Sequence, residues 1–395
     1  MGACRAIRVV GPVVRIEGRG QRCHLAVLHA ANVCGRSTSV IFMRIRATLR
    51  SPLGDSVTRD IVGGRWAEPS GDADEHLGQD EWALPGLVDA HAHLAAEDLA
   101  QPGDLDGAIE RSRIALEAGL MLILDKGWND TTTLQLMDKV PVQERPDIEA
   151  AAHIISVEGG YFPHFAREID PAAVKRAVDE EARLGSGWVK LIGDWPRKGR
   201  GPVANFTESQ MRAAVETAGR AGAKVAIHTM APDVPTAAVA AGVHSIEHGM
   251  FLTEDDLESL GGRGGMWVPT VLRVEATIGQ LGESSSGGRL LKEGLDNVRR
   301  LMPGAIEAGV HVLAGTDLVG SPAAVAREAM KLASYGMSNP QAVDAVTGSA
   351  LTATGRPADF PIGATANAVL FDENPTVDLA VLTSPAHVIR HGALW

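Results

Sequence analysis

One pattern constrains this chain more than any other. Between residues 86 and 317 an apolar strand, a glycine or polar turn and an amphipathic helix recur about eight times. The strands are read at Gly86–Leu94, Leu120–Asp125, Ala150–Val157, Trp188–Gly193, Ala223–Met230, Ser245–Met250, Met266–Val271 and His311–Asp317. Helices fall between them, for example Pro171–Leu184 and Met211–Ala221, the latter opened by a Thr207–Gln210 capping box. Eight such units in about 270 residues predict an α/β fold of the (β/α)8 TIM-barrel type, over residues 86–358. Short alternating segments flank it, Met43–Leu49 and Ser56–Val62 before, Ala368–Phe371, Ala386–Arg390 and Gly392–Trp395 after. Residues 43–85 and 359–395 are therefore expected to pair as a small β-sandwich formed by both chain ends.

Composition narrows the partners. The formal charge is −12 and no basic stripe carries interleaved aromatics, so a nucleic-acid surface is excluded. No apolar run reaches the 18 or more residues of a membrane span. A small-molecule substrate and a cytoplasmic setting are expected, and a homo-oligomer stays open. Residues 1–42 differ from the rest, with six arginines, one acid (Glu17) and all three cysteines, Cys4, Cys23 and Cys34. This basic extension is expected to do no chemistry, with Met43 the preferred true start. The main body has no cysteine, so a metal there needs histidine, carboxylate or lysine.

Five strands end in such residues. Side chains alternate along a strand, so His91 and His93 point to one side and can share a divalent ion. Lys190 lies on the fourth strand, His228 on the fifth, His248 on the sixth and Asp317 on the eighth. The C-terminal ends of barrel strands converge on one mouth, which would gather four histidines, one acid and one lysine. His244, His311, His387 and His391 fall away from that rim and are expected to be structural.

Leu84-Pro85-Gly86-Leu87-Val88-Asp89-Ala90-His91-Ala92-His93 resembles the first-strand signature of the amidohydrolase superfamily. Ser245-Ile246-Glu247-His248-Gly249 and Gly315-Thr316-Asp317 are similar to its sixth- and eighth-strand motifs. The nearest likeness is to the imidazolonepropionase and Xaa-Pro dipeptidase-like branch, where Val189-Lys190 has a counterpart whose lysine is carboxylated and bridges two metals. The resemblance implies a hydrolase of C–N amide bonds using one or two divalent ions, zinc first among them. His91, His93 and Asp317 would hold one ion and His228 and His248 the second, with a CO2-derived carbamate on Lys190 if the centre is binuclear. The carbamate is chemically reasonable, since an ammonium beside two dications is disfavoured by like charge. A hydroxide between ions about 3.5–4 Å apart is a competent nucleophile, with Asp317 as general base and then acid.

The loop after the third strand reads Gly159-Gly160-Tyr161 where dipeptidase-like relatives carry Gly-Gly-His. Tyr161 and His164 are the candidates there for contact with a developing oxyanion. Arg197, Lys198 and Arg200 follow the fourth strand and either receive a substrate carboxylate or stay solvated. Two alternatives stand beside amide hydrolysis. One is a mononuclear deaminase, which would want a glutamate soon after His228, where the chain has Thr229-Met230-Ala231-Pro232. The other is a metal-retaining binding protein without catalysis.

Overall fold

The six residues Leu120–Asp125 are all buried, as expected for a central parallel strand covered on both faces. Seven more strands run with it in the computed structural model, which describes residues 7–10, 13–16, 41–42, 44–98, 103–197, 199–320 and 324–395. In chain order they are β1 (Leu87–Ala92), β2 (Leu120–Asp125), β3 (Ile154–Val157), β4 (Trp188–Ile192), β5 (Lys224–Thr229), β6 (Ser245–His248), β7 (Met266–Val268) and β8 (His311–Val312). The expectation for residues 1–42 falls almost wholly outside the described residues.

Strand pairing gives two parallel arcs. The first orders β1, β2 and an additional strand, Asp147–Ala150. The second runs from Arg167–Ile169 through β3, β4, β5, β6 and β7 to β8. The expected strand Ala150–Val157 is thus two strands, interrupted at residues 151–153. Its backbone stays paired across the break, because Ala151 N donates to Asp125 O at 2.9 Å and Ile154 N to Trp128 O at 3.1 Å. The eighth strand is also shorter than expected. Leu313 N still donates to Trp267 O of β7 at 2.9 Å, and the chain then turns elsewhere, Ala314 N donating to Ala345 O at 3.2 Å. Two bonds then join this segment to β1, Ala90 N to Ala314 O at 2.9 Å and Asp317 N to His91 O at 2.8 Å.

Helices lie between the strands as the apolar period requires. The Thr207–Gln210 capping box forms reciprocally and starts its helix at Glu208 rather than Met211. No helix among the described residues is long and apolar enough to cross a membrane.

The chain ends form two four-stranded sheets. One orders Ala393–Leu394, His387–Arg390, Ala368–Phe371 and Trp82–Leu84; the other orders Arg65–Ala67, Val57–Val62, Ile45–Leu49 and Glu75–Leu77. Alternate residues of Ile45–Leu49 are buried, the period-two signature of a strand with one covered face. Ile45, Leu49 and Trp66 share a buried cluster with Ala83, Leu370 and Ile389 of the other sheet. Arg390 ties the C-terminal sheet to the strand Asp147–Ala150, donating to Asp147 Oδ1 at 2.7 Å and to Val142 O at 2.8 Å.

Candidate active site

The C-terminal ends of β1, β5 and β6 bring histidines to Asp317. His91 and His93 each place Nε2 3.5 Å from Asp317 Oδ1. His248 Nε2 lies 4.0 Å from the other oxygen, Oδ2, and 2.9 Å from Nδ1 of His228. One carboxylate thus stands between two histidine pairs. Ligand atoms of His91, His93 and Asp317 all lie within 4.8 Å of one another. Two donors on one tetrahedral zinc, each about 2.0–2.1 Å from it, sit roughly 3.3 Å apart. The 3.5 Å separations of His91 and His93 from Asp317 are therefore near the spacing that a small dication needs.

The opposite sides of these rings are held. His93 Nδ1 meets Gly127 O at 2.7 Å, and His248 Nδ1 meets Thr270 Oγ1 at 2.6 Å. His91 Nδ1 lies 2.6 Å from Glu247 Oε2, a fully buried carboxylate. The other oxygen of Glu247 accepts from Ser245 Oγ at 2.5 Å and faces Lys126 Nζ at 3.3 Å. Asp89 joins β1 to the turn that carries Asp317, accepting from His91 N at 3.0 Å, Thr316 N at 3.1 Å and Thr316 Oγ1 at 2.6 Å. Such outer contacts fix ring orientation and leave the Nε2 atoms of His91, His93 and His248 facing inward. His248, Thr270, Asp317 and Leu318 all adopt positive φ, between 43° and 65°. Left-handed backbone at four non-glycine residues is strain concentrated where side chains must be aimed.

Burial dominates the electrostatics. It lowers His91 to about 4 and His248 to about 3, and holds His228 well below its ordinary value. All three rings are neutral near pH 7, as metal ligation requires. Burial alone would raise Asp317, yet His91, His93, His248 and Arg273 hold it well below the usual carboxylate range. Burial, with Lys126 adding to it, lowers Lys190 to about 8. The Lys190 amine is buried and has no hydrogen-bond partner among the described residues.

The sequence profile of the amidohydrolase family matches residues 82–394. The chain belongs to the amidohydrolase family. An uncharacterized protein of Mycobacterium tuberculosis is 33% identical over 343 residues, covering 84% of this chain and 90% of that one. Ochratoxinase of Aspergillus niger is 28% identical over 240 residues, 56% of this chain and 49% of that protein. Among solved structures, a Xaa-Pro dipeptidase with bound methionine in the active site superposes with a TM-score of 0.76. Its identity to this chain is 21%, over 89% of this chain and 99% of that one.

In this amidohydrolase the metal-ligand candidates His91, His93, His228, His248 and Asp317 come together, with Lys190 buried on β4. Tyr161 also reaches the rim, its ring centroid 6.1 Å from that of His228. His164 does not. It is exposed and lines a surface depression of about 390 Å3 with Asn129, His153 and Arg167. Arg197 is engaged, donating to Asn205 Oδ1 at 2.9 Å and to Glu158 O at 3.3 Å; Lys198 lies outside the described residues. His244 and His311 are structural, meeting Val225 N at 3.1 Å and Ser349 Oγ at 3.0 Å.

Sequence reasoning missed Asp89, Lys126, Glu247, Thr270 and Arg273 as parts of this amidohydrolase site. The signal available was charge within or next to apolar strands, since Glu247 interrupts β6 and Lys126 directly follows the last residue of β2, Asp125. The Arg273 guanidinium has no hydrogen-bond or ion-pair partner among the described residues, and its charge acts on both Asp317 and Tyr161.

Proposed function

We propose that this amidohydrolase is a metal-dependent enzyme that cleaves the C–N amide bond of a small N-acyl, dipeptide or cyclic-amide substrate. The reading includes a closed (β/α)8 barrel over residues 86–358, with residues 43–85 and 359–395 as an end sandwich. The observation that carries it is one carboxylate, Asp317, with Oδ1 3.5 Å from both His91 and His93 and Oδ2 4.0 Å from His248, which in turn meets His228. Prolidase-like structures and ochratoxinase among the similar proteins support amide hydrolysis as the chemistry.

The donor set fits divalent ions, zinc first by its imidazole and carboxylate character. His91, His93 and Asp317 would hold one ion and His228 and His248 a second. The buried, unpartnered Lys190 amine suits a bridging role as its carbamate, formed when the free amine adds CO2 and releases a proton. When bound, such ions lower the pKa of a coordinated water and polarise the scissile carbonyl. Asp317 would serve as the general base toward the attacking water and then as the acid toward the leaving nitrogen. Tyr161 is kept protonated because burial, with Asp317 adding to it, pushes its phenol upward. It is the hydroxyl that donates to the developing oxyanion. Arg273, whose guanidinium has no partner among the described residues, receives a substrate carboxylate, while Arg197 is already committed to Asn205.

The test is a panel of N-acyl amino acids, Xaa-Pro dipeptides and cyclic amides, assayed after chelation and after adding back zinc or manganese. Hydrolysis should vanish on chelation, return with metal, and fall by about 10²–10⁴-fold in Asp317→Asn. Amide cleavage that survives complete metal removal would overturn the reading.

A further inference from the structure

Aromatic residues make up only 4% of the chain, yet five of them form one connected group at the metal-ligand rim. Trp128 packs against His93 at 5.5 Å between centroids and against Phe165 at 4.8 Å. Phe165 meets Phe162 at 6.1 Å, Phe162 meets Trp195 at 4.5 Å, and Tyr161 meets Trp195 at 4.7 Å. Trp195 and Tyr161 reach His228 at 5.9 and 6.1 Å. The group therefore spans from one histidine pair to the other.

Trp128 and Phe165 are buried and form its base. Phe162 is 37% exposed, and Tyr161 and Trp195 are only half-buried. These three rings come from a loop (Tyr161, Phe162) and a strand (Asp194–Arg197, bearing Trp195) that a polar scaffold locks together. Asn205 donates to Gly160 O and to Ile192 O, both at 2.9 Å, while its Oδ1 accepts from Arg197. Gly160 is required there, because an added Cβ would lie 2.7 Å from Asn205 Oδ1 and from Ser156 Oγ. A rigid scaffold that keeps large apolar rings partly exposed, beside the metal-ligand rim, has a ligand-binding geometry rather than a core-packing one.

We propose that Tyr161, Phe162 and Trp195 form the subsite for a flat aromatic ring carried by the amide substrate. The inference rests on the amide-hydrolase reading and names its substrate class. Neighbouring rings in this wall are inclined at 65–67°. An incoming ring can meet one face-on and the next edge-on, the two favoured aromatic geometries.

The test separates binding from catalysis. Metal-loaded full-length protein is titrated calorimetrically with benzoate against acetate, and with phenylalanine against alanine. None of these four is an amide, so none is turned over. N-benzoylglycine against N-acetylglycine, and N-acetylphenylalanine against N-acetylalanine, are then compared by kcat/KM. The aromatic member of at least one pair should be preferred about tenfold or more. The pair that shows it tells whether the ring belongs to the acyl or the amine side. Trp195→Leu and the exposed-site variant Phe162→Ala should each shrink that ratio about threefold or more, with metal content unchanged. Equal affinity within both pairs, or a ratio that neither substitution moves, overturns the subsite. Aromatic preference in binding without hydrolysis of any amide would instead overturn the catalytic reading and leave the subsite standing.

Discussion

The hydroxyl of Thr270 donates to Pro269 O at 2.8 Å, so in its 2.6 Å contact with His248 the ring Nδ1 is the donor. His248 is then fixed as the Nδ1–H tautomer, with the Nε2 lone pair aimed inward. Thr270 holds this position at a φ of 48°, an uncommon conformation for a β-branched residue. Thr270→Val should weaken zinc affinity by about 10–100-fold, and Thr270→Ser should restore it, measured by chelator competition. Glu328 supports the same turn, accepting from Val271 N at 2.6 Å and Leu272 N at 3.0 Å. Burial pushes its carboxyl up to about 8. The native state therefore keeps a proton that the unfolded chain releases above the ordinary glutamate range. Its stabilising share is full at low pH and is lost as pH rises toward about 8. The thermal midpoint of wild type relative to Glu328→Gln should thus decline between pH 5 and 8. A difference that stays flat, or rises, would refute this.

At the scale of elements, the junction of β1 with the segment after β8 decides whether the ligands meet. Gly315 is packed so closely that an added Cβ would lie 2.6 Å from His91 Cβ and 2.9 Å from His91 N. Gly315→Ala should cost about 1–3 kcal/mol of stability by overpacking. It should also lower metal content, since relief of the clash moves His91 away from Asp317; denaturant melts and elemental analysis would show both. Periodicity found the regular elements: Leu120–Asp125 and Ala368–Phe371 have their expected bounds. It failed where the regular ladder is interrupted, at residues 151–153 and after Leu313, because an apolar run looks the same whether its amides pair in a strand or with a neighbouring turn. The ligand candidates were legible because each lies in or just after an apolar run. Glu247 and Lys126 were not, because a buried ion pair is defined by two strands that meet only in the folded chain. Tyr161 and His164 share one loop, and nothing in a sequence says which of them the loop turns inward.

For the whole molecule, parallel strands aim their C-terminal ends one way, and the site is a consequence of that polarity. Residues as distant as His91 and Asp317 become neighbours without any local sequence link. The chain ends meet as well, through the shared cluster of Ile45, Trp66 and Leu370 and through Arg390 on Asp147. The proposed reading, a metal hydrolase with Lys190 at the bridge of its centre, rests on the first of these arrangements. Its most direct test is metal per chain by elemental analysis on protein purified with bicarbonate present, for wild type and Lys190→Ala. The account predicts two divalent ions per wild-type chain and a sharp fall in the variant. No bound metal in protein that hydrolyses amides, or one ion unmoved by loss of Lys190, would contradict it.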